Sequence, residues 1–230
     1  MGWFCSTSNV MVAHHTSTIF SYATAIFSSG LLFALPLLLS LRYGLSSYFG
    51  RAFFVGAVGG LLFTLAVAAD MLTPQPLRHL LSSLLYLFGY MFIASALISY
   101  ILCFSASLPK RVIILSSTAA TLFFILVVLV LLSTLPQPPK VAVTVEVVYG
   151  LLDAMLLAIS LAGIIIFSGG RLRVSWILIF IGIAIASVGD LLLISTSLTG
   201  TYYIGHPLEL LYTIGYLTSA LGFLVHKIIL

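Results

Sequence analysis

Seven long runs of apolar residues divide the chain, and short polar segments separate them. Each run reaches the length of about 20 residues that a helix needs to cross a hydrocarbon layer of roughly 30 Å. The runs are continuously apolar and lack the period-two alternation of barrel strands, so they predict helices. The predicted fold is all-α with seven transmembrane helices, at residues 17–41, 50–70, 79–104, 110–135, 140–167, 173–196 and 203–228.

The segments between the runs contain proline, glycine, serine and basic residues, as loops do. None is long enough to form a second domain, so we expect one transmembrane domain over residues 1–230. With 62% hydrophobic and 6% charged residues, the chain has too little polar surface to cover a soluble core. We therefore expect a multi-pass protein of the cell membrane, embedded in the lipid bilayer.

Basic residues concentrate at one set of helix ends, and such residues are retained on the cytoplasmic side of a membrane. Seven lie on one side: Arg42, Arg51, Lys110, Arg111, Arg171, Arg173 and Lys227. Two lie on the other side: Arg78 and Lys140. This asymmetry predicts an N-terminus outside and a C-terminus in the cytoplasm. No basic run indicates a nucleic-acid partner.

The chain contains an internal similarity. LLYLFGY, from Leu84 to Tyr90, matches LLYTIGY, from Leu210 to Tyr216, at five of seven positions. Arg51 and Asp70 have the same spacing of 19 residues as Arg171 and Asp190. We interpret this as a three-helix unit used twice in the same orientation, with units 17–104 and 140–228 and a connecting helix at 110–135.

Carboxyl and tyrosine side chains gather in the second unit. Glu146, Tyr149 and Asp153 have i, i+3 and i+7 spacing, which puts them on one helical face. Glu209, Tyr212 and Tyr216 repeat that spacing in the seventh helix, and Asp190 lies near the outer end of the sixth. The corresponding positions of the first unit, Asp70, Tyr86 and Tyr90, form a secondary set together with His206.

A carboxylate that faces lipid costs several kcal/mol, so we expect these groups to face the interior of the bundle. The sequence predicts an outward-opening acidic pocket, lined by tyrosines, that binds a small ligand or a cation. Since like charges disfavour one another's ionisation, we also expect at least one of these carboxyl groups to be protonated at neutral pH. The alternative is that these groups only hold the helices together.

The chain shows no pattern typical of catalysis: GxSxG with a usable histidine, HExxH, CxxC and a P-loop are all missing. The sequence therefore does not predict an enzyme, although unusual carboxylate chemistry stays open. We predict no cofactor. His79 and His206 would be the residues to hold a metal or haem, but neither has a recognised ligand spacing.

The segment from Gly189 to Gly222 resembles the last two helices of seven-helix membrane domains that precede GGDEF-type diguanylate cyclase or histidine kinase modules in bacterial and archaeal signalling proteins. The similarity rests on an Asp that ends the sixth helix, a GTY loop and a proline-acid pair before an aromatic-GY run: Asp190, Gly200, Thr201, Tyr202, Pro207, Glu209, Tyr212, Gly215 and Tyr216. The acidic fifth helix is also similar. This resemblance implies a sensor; since no such module follows Leu230 here, we expect it to signal through a partner protein.

Three functions stay open at this point. The first is a sensor or receptor-like module that signals through a partner. The second is a small-solute or proton-coupled transporter, whose two units rock about a central site. The third is a non-catalytic subunit of a larger membrane complex, or a homo-oligomer in the membrane.

Overall fold

Apolar runs separated by glycine and proline turns form an all-helical bundle in the computed structural model. It describes residues 5–74, 77–105, 110–134, 141–170, 172–198, 201, 203 and 206–229. The described residues form seven helices: α1 Cys5–Tyr43, α2 Tyr48–Leu72, α3 Leu77–Ser105, α4 Lys110–Thr134, α5 Val141–Ile166, α6 Arg173–Leu198 and α7 Glu209–Ile229. The all-α prediction is confirmed.

Among the described residues, five helical segments are long and apolar enough to cross a membrane: Thr18–Tyr43 in α1, Tyr48–Leu72 in α2, Leu80–Cys103 in α3, Val147–Ile166 in α5 and Arg173–Thr196 in α6. The membrane character predicted from the sequence is therefore confirmed for these segments. For α4 and α7, the crossing stays a prediction. The polar residues that the sequence places in α7 lower its mean hydropathy.

The seventh helix begins six residues later than the predicted start at 203, because a turn precedes it. The N–H of Glu209 donates to the carbonyl of His206 at 2.9 Å. The ring Nδ1 of His206 accepts a hydrogen bond from the N–H of Leu208 at 3.2 Å. Pro207 lies within this turn, where the lack of an N–H has no cost. His206 therefore ends the loop and starts α7.

Six helices form a closed ring around the core, in the order α1, α2, α3, α5, α6 and α7. Neighbours in chain order pack together within α1–α3 and within α5–α7. Two further contacts, α3 against α5 and α1 against α7, join these halves. We call these contacts the α3/α5 seam and the α1/α7 seam. Helix α4 packs on α5 outside the ring.

The turn between α1 and α2 brings the two helices into direct contact. Gly44 has a φ of +76°, a left-handed conformation that ends α1 without the steric cost of a side chain. Ser47 caps α2, since its Oγ accepts from the N–H of Gly50 at 2.9 Å. This turn fixes the position of Tyr43, the last residue of α1.

Glycines bring α6 and α7 into backbone contact. A Cβ at Gly215 would lie 2.6 Å from the carbonyl oxygen of Gly182. Two serines add hydrogen bonds across the contact, from Ser219 Oγ to the carbonyl of Ile179 at 3.0 Å and from Ser175 Oγ to that of Gly222 at 3.0 Å. Small residues of this kind let membrane helices pack closely, so we expect α6 and α7 to move as one body.

Gly215→Ala tests this packing. The added methyl group has no room at the α6–α7 contact, so we expect the protein to lose about 1–3 kcal/mol of unfolding free energy. The matched control is Gly30→Ala in α1, where a Cβ would meet nothing within 4 Å. Thermal or denaturant unfolding in detergent measures both variants, and equal stabilities would contradict the predicted contact.

Candidate functional site

Two carboxyl groups share one tyrosine hydroxyl at the α3/α5 seam. The hydroxyl of Tyr90 in α3 lies 2.8 Å from Oδ2 of Asp190 in α6 and 3.3 Å from Oδ2 of Asp153 in α5. Asp153 is fully buried, with 0% of its surface exposed, and Asp190 is partly buried. The three residues form a bridge between the halves of the bundle.

The remaining oxygen of Asp153 is not satisfied by the protein. Its Oδ1 is buried and has no hydrogen-bond partner among the described residues. An ionised carboxylate can only accept hydrogen bonds, and a buried acceptor without a donor is costly. This oxygen therefore marks the place where a proton or a ligand atom would be stabilising.

Aromatic side chains surround the pair. Tyr212 and Tyr216 lie close enough to both carboxyl groups to interact with them electrostatically. The ring of Phe63 packs against that of Tyr90 with centroids 5.3 Å apart and against that of Tyr216 at 5.9 Å. The ring of Tyr149 also packs against that of Tyr90, at 6.1 Å between centroids. These aromatic side chains thus provide hydroxyl groups around the two aspartates on an otherwise apolar surface.

Within the described part of the chain, no lysine or arginine lies close enough to Asp153 or Asp190 to balance their charge. Tyr90 donates to both aspartates, and the hydroxyls of Tyr212 and Ser187 lie within reach of Asp190 and Asp153 respectively, but none of these donors carries a positive charge. A bound proton or a small cation would lower the repulsion between the two carboxylates.

Glu209 lies at the other seam, away from the aspartate pair. Its Oε2 accepts a hydrogen bond from Ser21 Oγ of α1. Ser83, the residue at the corresponding position of α3, contacts α5 instead, since its carbonyl accepts from the Tyr149 hydroxyl at 2.9 Å. These two positions, matched in the sequence, each lie at one seam, near the end of the bundle at which α3 and α7 begin.

The other predicted residues have separate places. Glu146 belongs to α5, but its side chain lies outside the described part of the chain, as does that of His79. Asp70 is partly buried near the end of α2, and Tyr86 packs against Phe63 at 5.9 Å between centroids. His206 caps the start of α7. The pocket predicted from the sequence thus stays a prediction, with Asp153, Asp190, Tyr212 and Tyr216 at its centre.

Sequence reasoning gave Tyr90 only a secondary place and did not select Ser21 or Phe63. The signal for Tyr90 was present, because it is the twin of Tyr216 in the repeated LLYxxGY pattern. No comparable signal marks Ser21, a small polar residue in an apolar helix.

No group of three or more histidine, cysteine, aspartate or glutamate side chains able to hold a metal occurs within the described ranges. Comparisons of the chain with protein-family models, curated proteins and solved structures found no match. The resemblance to sensor domains therefore stays a prediction, and any function is argued from the site itself.

Tyr90→Phe tests the bridge. The variant keeps the ring but removes the donor shared by both carboxyl groups, so we expect a loss of about 1–3 kcal/mol in unfolding free energy. Tyr149→Phe is the matched control, since that hydroxyl donates to a backbone carbonyl, and its loss should cost only about 0.6 kcal/mol. Denaturant unfolding in lipid-like detergent compares them. A larger loss in Tyr149→Phe would contradict the role given to Tyr90.

Proposed function

We propose that this protein is an integral membrane sensor module that binds a proton or a small cation between Asp153 and Asp190. The observation that carries the proposal is the Tyr90 bridge, in which one hydroxyl from α3 contacts carboxyl groups of both α5 and α6. Occupancy of the pair changes the charge on one side of the α3/α5 seam. The packing of that seam therefore depends on whether the pair is occupied.

The direction of this dependence follows from the chemistry of the three groups. With a proton or cation bound, the aspartates no longer repel each other, and Tyr90 can donate to either one. Without it, two carboxylates repel each other with only uncharged hydroxyl donors around them, and separation of α3 from α5 lets water solvate them. Binding therefore shifts the equilibrium toward the closed seam only to the extent that the proton or cation binds the closed arrangement more tightly than the open one.

Helix α5 is the route by which the change reaches a partner. It carries Asp153 in the buried interior of the ring and packs against α4 on its outer side. A displacement of α5 relative to α3 therefore also moves α4. A partner protein in the membrane that contacts α4 would respond to whether the aspartate pair has bound a proton or cation.

The proposed topology has seven spans, with the N-terminus outside and the C-terminus in the cytoplasm. The contact between Arg42 Nη1 and the carbonyl of Lys227, at 2.8 Å, supports it by placing the ends of α1 and α7 at one face with their basic residues. On this orientation Asp190 lies toward the outer face.

A second candidate function is proton-coupled or small-solute transport. The arrangement of the seams favours it. If α1, α2 and α3 correspond to α5, α6 and α7, then the contact of α3 with α5 corresponds to the contact of α7 with α1. Two equivalent seams around a central site allow one half to rock against the other, as repeat-based transporters do. This correspondence of the two seams supports the proposed duplication of a three-helix unit.

Infrared titration of the protein in nanodiscs tests the proton site. We expect a band of protonated carboxyl groups at neutral pH that Asp153→Asn or Asp190→Asn removes or shifts, since both residues share the site. The matched control is Asp70→Asn, at the corresponding position of α2, which should leave this band unchanged. A spectrum without protonated carboxyl groups in sodium-free and sodium-containing buffers alike would contradict the proposal.

Proteoliposomes distinguish the sensor from the transporter. A pH-sensitive dye inside the vesicles reports proton flux when a proton or sodium gradient is applied. A change in the infrared band of the carboxyl groups, without proton flux into the vesicles, supports the sensor. Flux that Asp153→Asn abolishes and Asp70→Asn preserves supports the transporter.

A further inference from the structure

A second buried polar cluster lies at the opposite end of the bundle from Glu209. Its centre is His226, in the last turn of α7, with 1% of its surface exposed. His226 Nε2 lies 2.9 Å from the Tyr43 hydroxyl of α1, and Nδ1 lies 3.2 Å from Ser175 Oγ of α6. The rings of Phe53 and Trp176 each pack edge-on against the imidazole with centroids 5.3 Å apart.

The hydrogen bonds of Ser175 determine which nitrogen of His226 carries the proton. The Ser175 hydroxyl donates to the carbonyl of Gly222 at 3.0 Å, so its single proton is already used. Toward His226 it can only accept, which requires a proton on Nδ1. Nε2 of the neutral ring is then an acceptor, and the Tyr43 hydroxyl donates to it.

The charged surroundings of His226 are basic. Arg42 of α1 interacts with the ring electrostatically, and the adjacent Lys227 belongs to the same helix end. The residues that face the ring from α2 and α6 are Phe53, Ser175 and Trp176, which carry no charge. All five acidic residues of the chain lie at mid-bundle or toward the other end.

We propose that His226 is a second proton-binding site, which holds the inner end of the α1/α7 seam closed when neutral and releases it when protonated. A proton on Nε2 replaces an acceptor with a donor, so the Tyr43 O–H must rotate away from the ring and its oxygen can only accept. The resulting imidazolium is buried against Phe53 and Trp176 and faces the Arg42 guanidinium of α1 without a carboxylate between them. The buried charge and its repulsion from Arg42 oppose the contact of α1 with α7.

The tautomer is the first test. We expect ¹⁵N NMR of histidine-labelled protein in nanodiscs at neutral pH to show one ring protonated at Nδ1 alone, in a signal that His226→Gln removes. A His226 ring protonated at Nε2 alone, or at both nitrogens, would overturn the hydrogen-bond assignment and the proposal with it. Because Asp153→Asn does not touch this cluster, it should leave the signal in place, so the test is separate from that of the aspartate pair.

Distance measurements test the release. Spin labels replace the exposed residues Leu45, just after α1, and Ile228, in α7, in a chain that also carries Cys5→Ser and Cys103→Ser. As the pH falls from about 8 to about 3, we expect this distance to lengthen; the low end of the range is needed because burial and the Arg42 guanidinium oppose protonation of the ring. Labels at Val174 and Ile228 are the control, since both belong to the α6–α7 body and should keep their distance.

Two variants decide whether His226 causes the change. His226→Gln cannot titrate, so its distance at the seam should not depend on pH. Tyr43→Phe keeps the packing but removes the donor, so it should show the lengthened distance already at neutral pH. A constant distance in the unmodified chain, or the same lengthening in His226→Gln, would contradict the proposal.

Discussion

A carboxyl group inside an apolar helical bundle must find its partners within the protein, because neither lipid nor bulk water provides them. This constraint accounts for the convergence of α3, α5 and α6 on Tyr90. It also accounts for the tyrosines around the pair, which add polar atoms without adding charge. The aromatic rings fill the space between the halves, so the same residues that satisfy the acids also pack the core.

The helices were predictable from sequence because their cause is local. A long apolar run must form a helix in a membrane wherever it lies in the chain, and α2 to α6 fall within two residues of their predicted limits. The limits of α1 and α7 were predicted less well. The late start of α7 depends on the side chain of His206, whose hydrogen bond to Leu208 is not visible in a hydropathy pattern.

The site was predictable only in part, because side-chain partners come from helices far apart in sequence. Asp153, Asp190, Tyr212 and Tyr216 could be selected by their rarity in an apolar chain. Helical spacing put Glu209 on one face with Tyr212 and Tyr216, but it could not show that α1 approaches that face. Tyr43 and Ser175 were missed for the same reason, while His226 had a signal in the repeat: it follows Tyr216 at the distance at which Tyr100 follows Tyr90.

The glycine contact between α6 and α7 has a consequence for how the two ends of the protein communicate. Asp190 belongs to α6 and His226 to α7, and because their backbones pack closely we expect these helices to move together. A displacement that weakens the contacts of one group therefore changes the contacts of the other. Thermodynamic linkage makes such a relation reciprocal: if acid on one face alters ion binding at the aspartates, that binding must alter proton affinity at the histidine by the same factor.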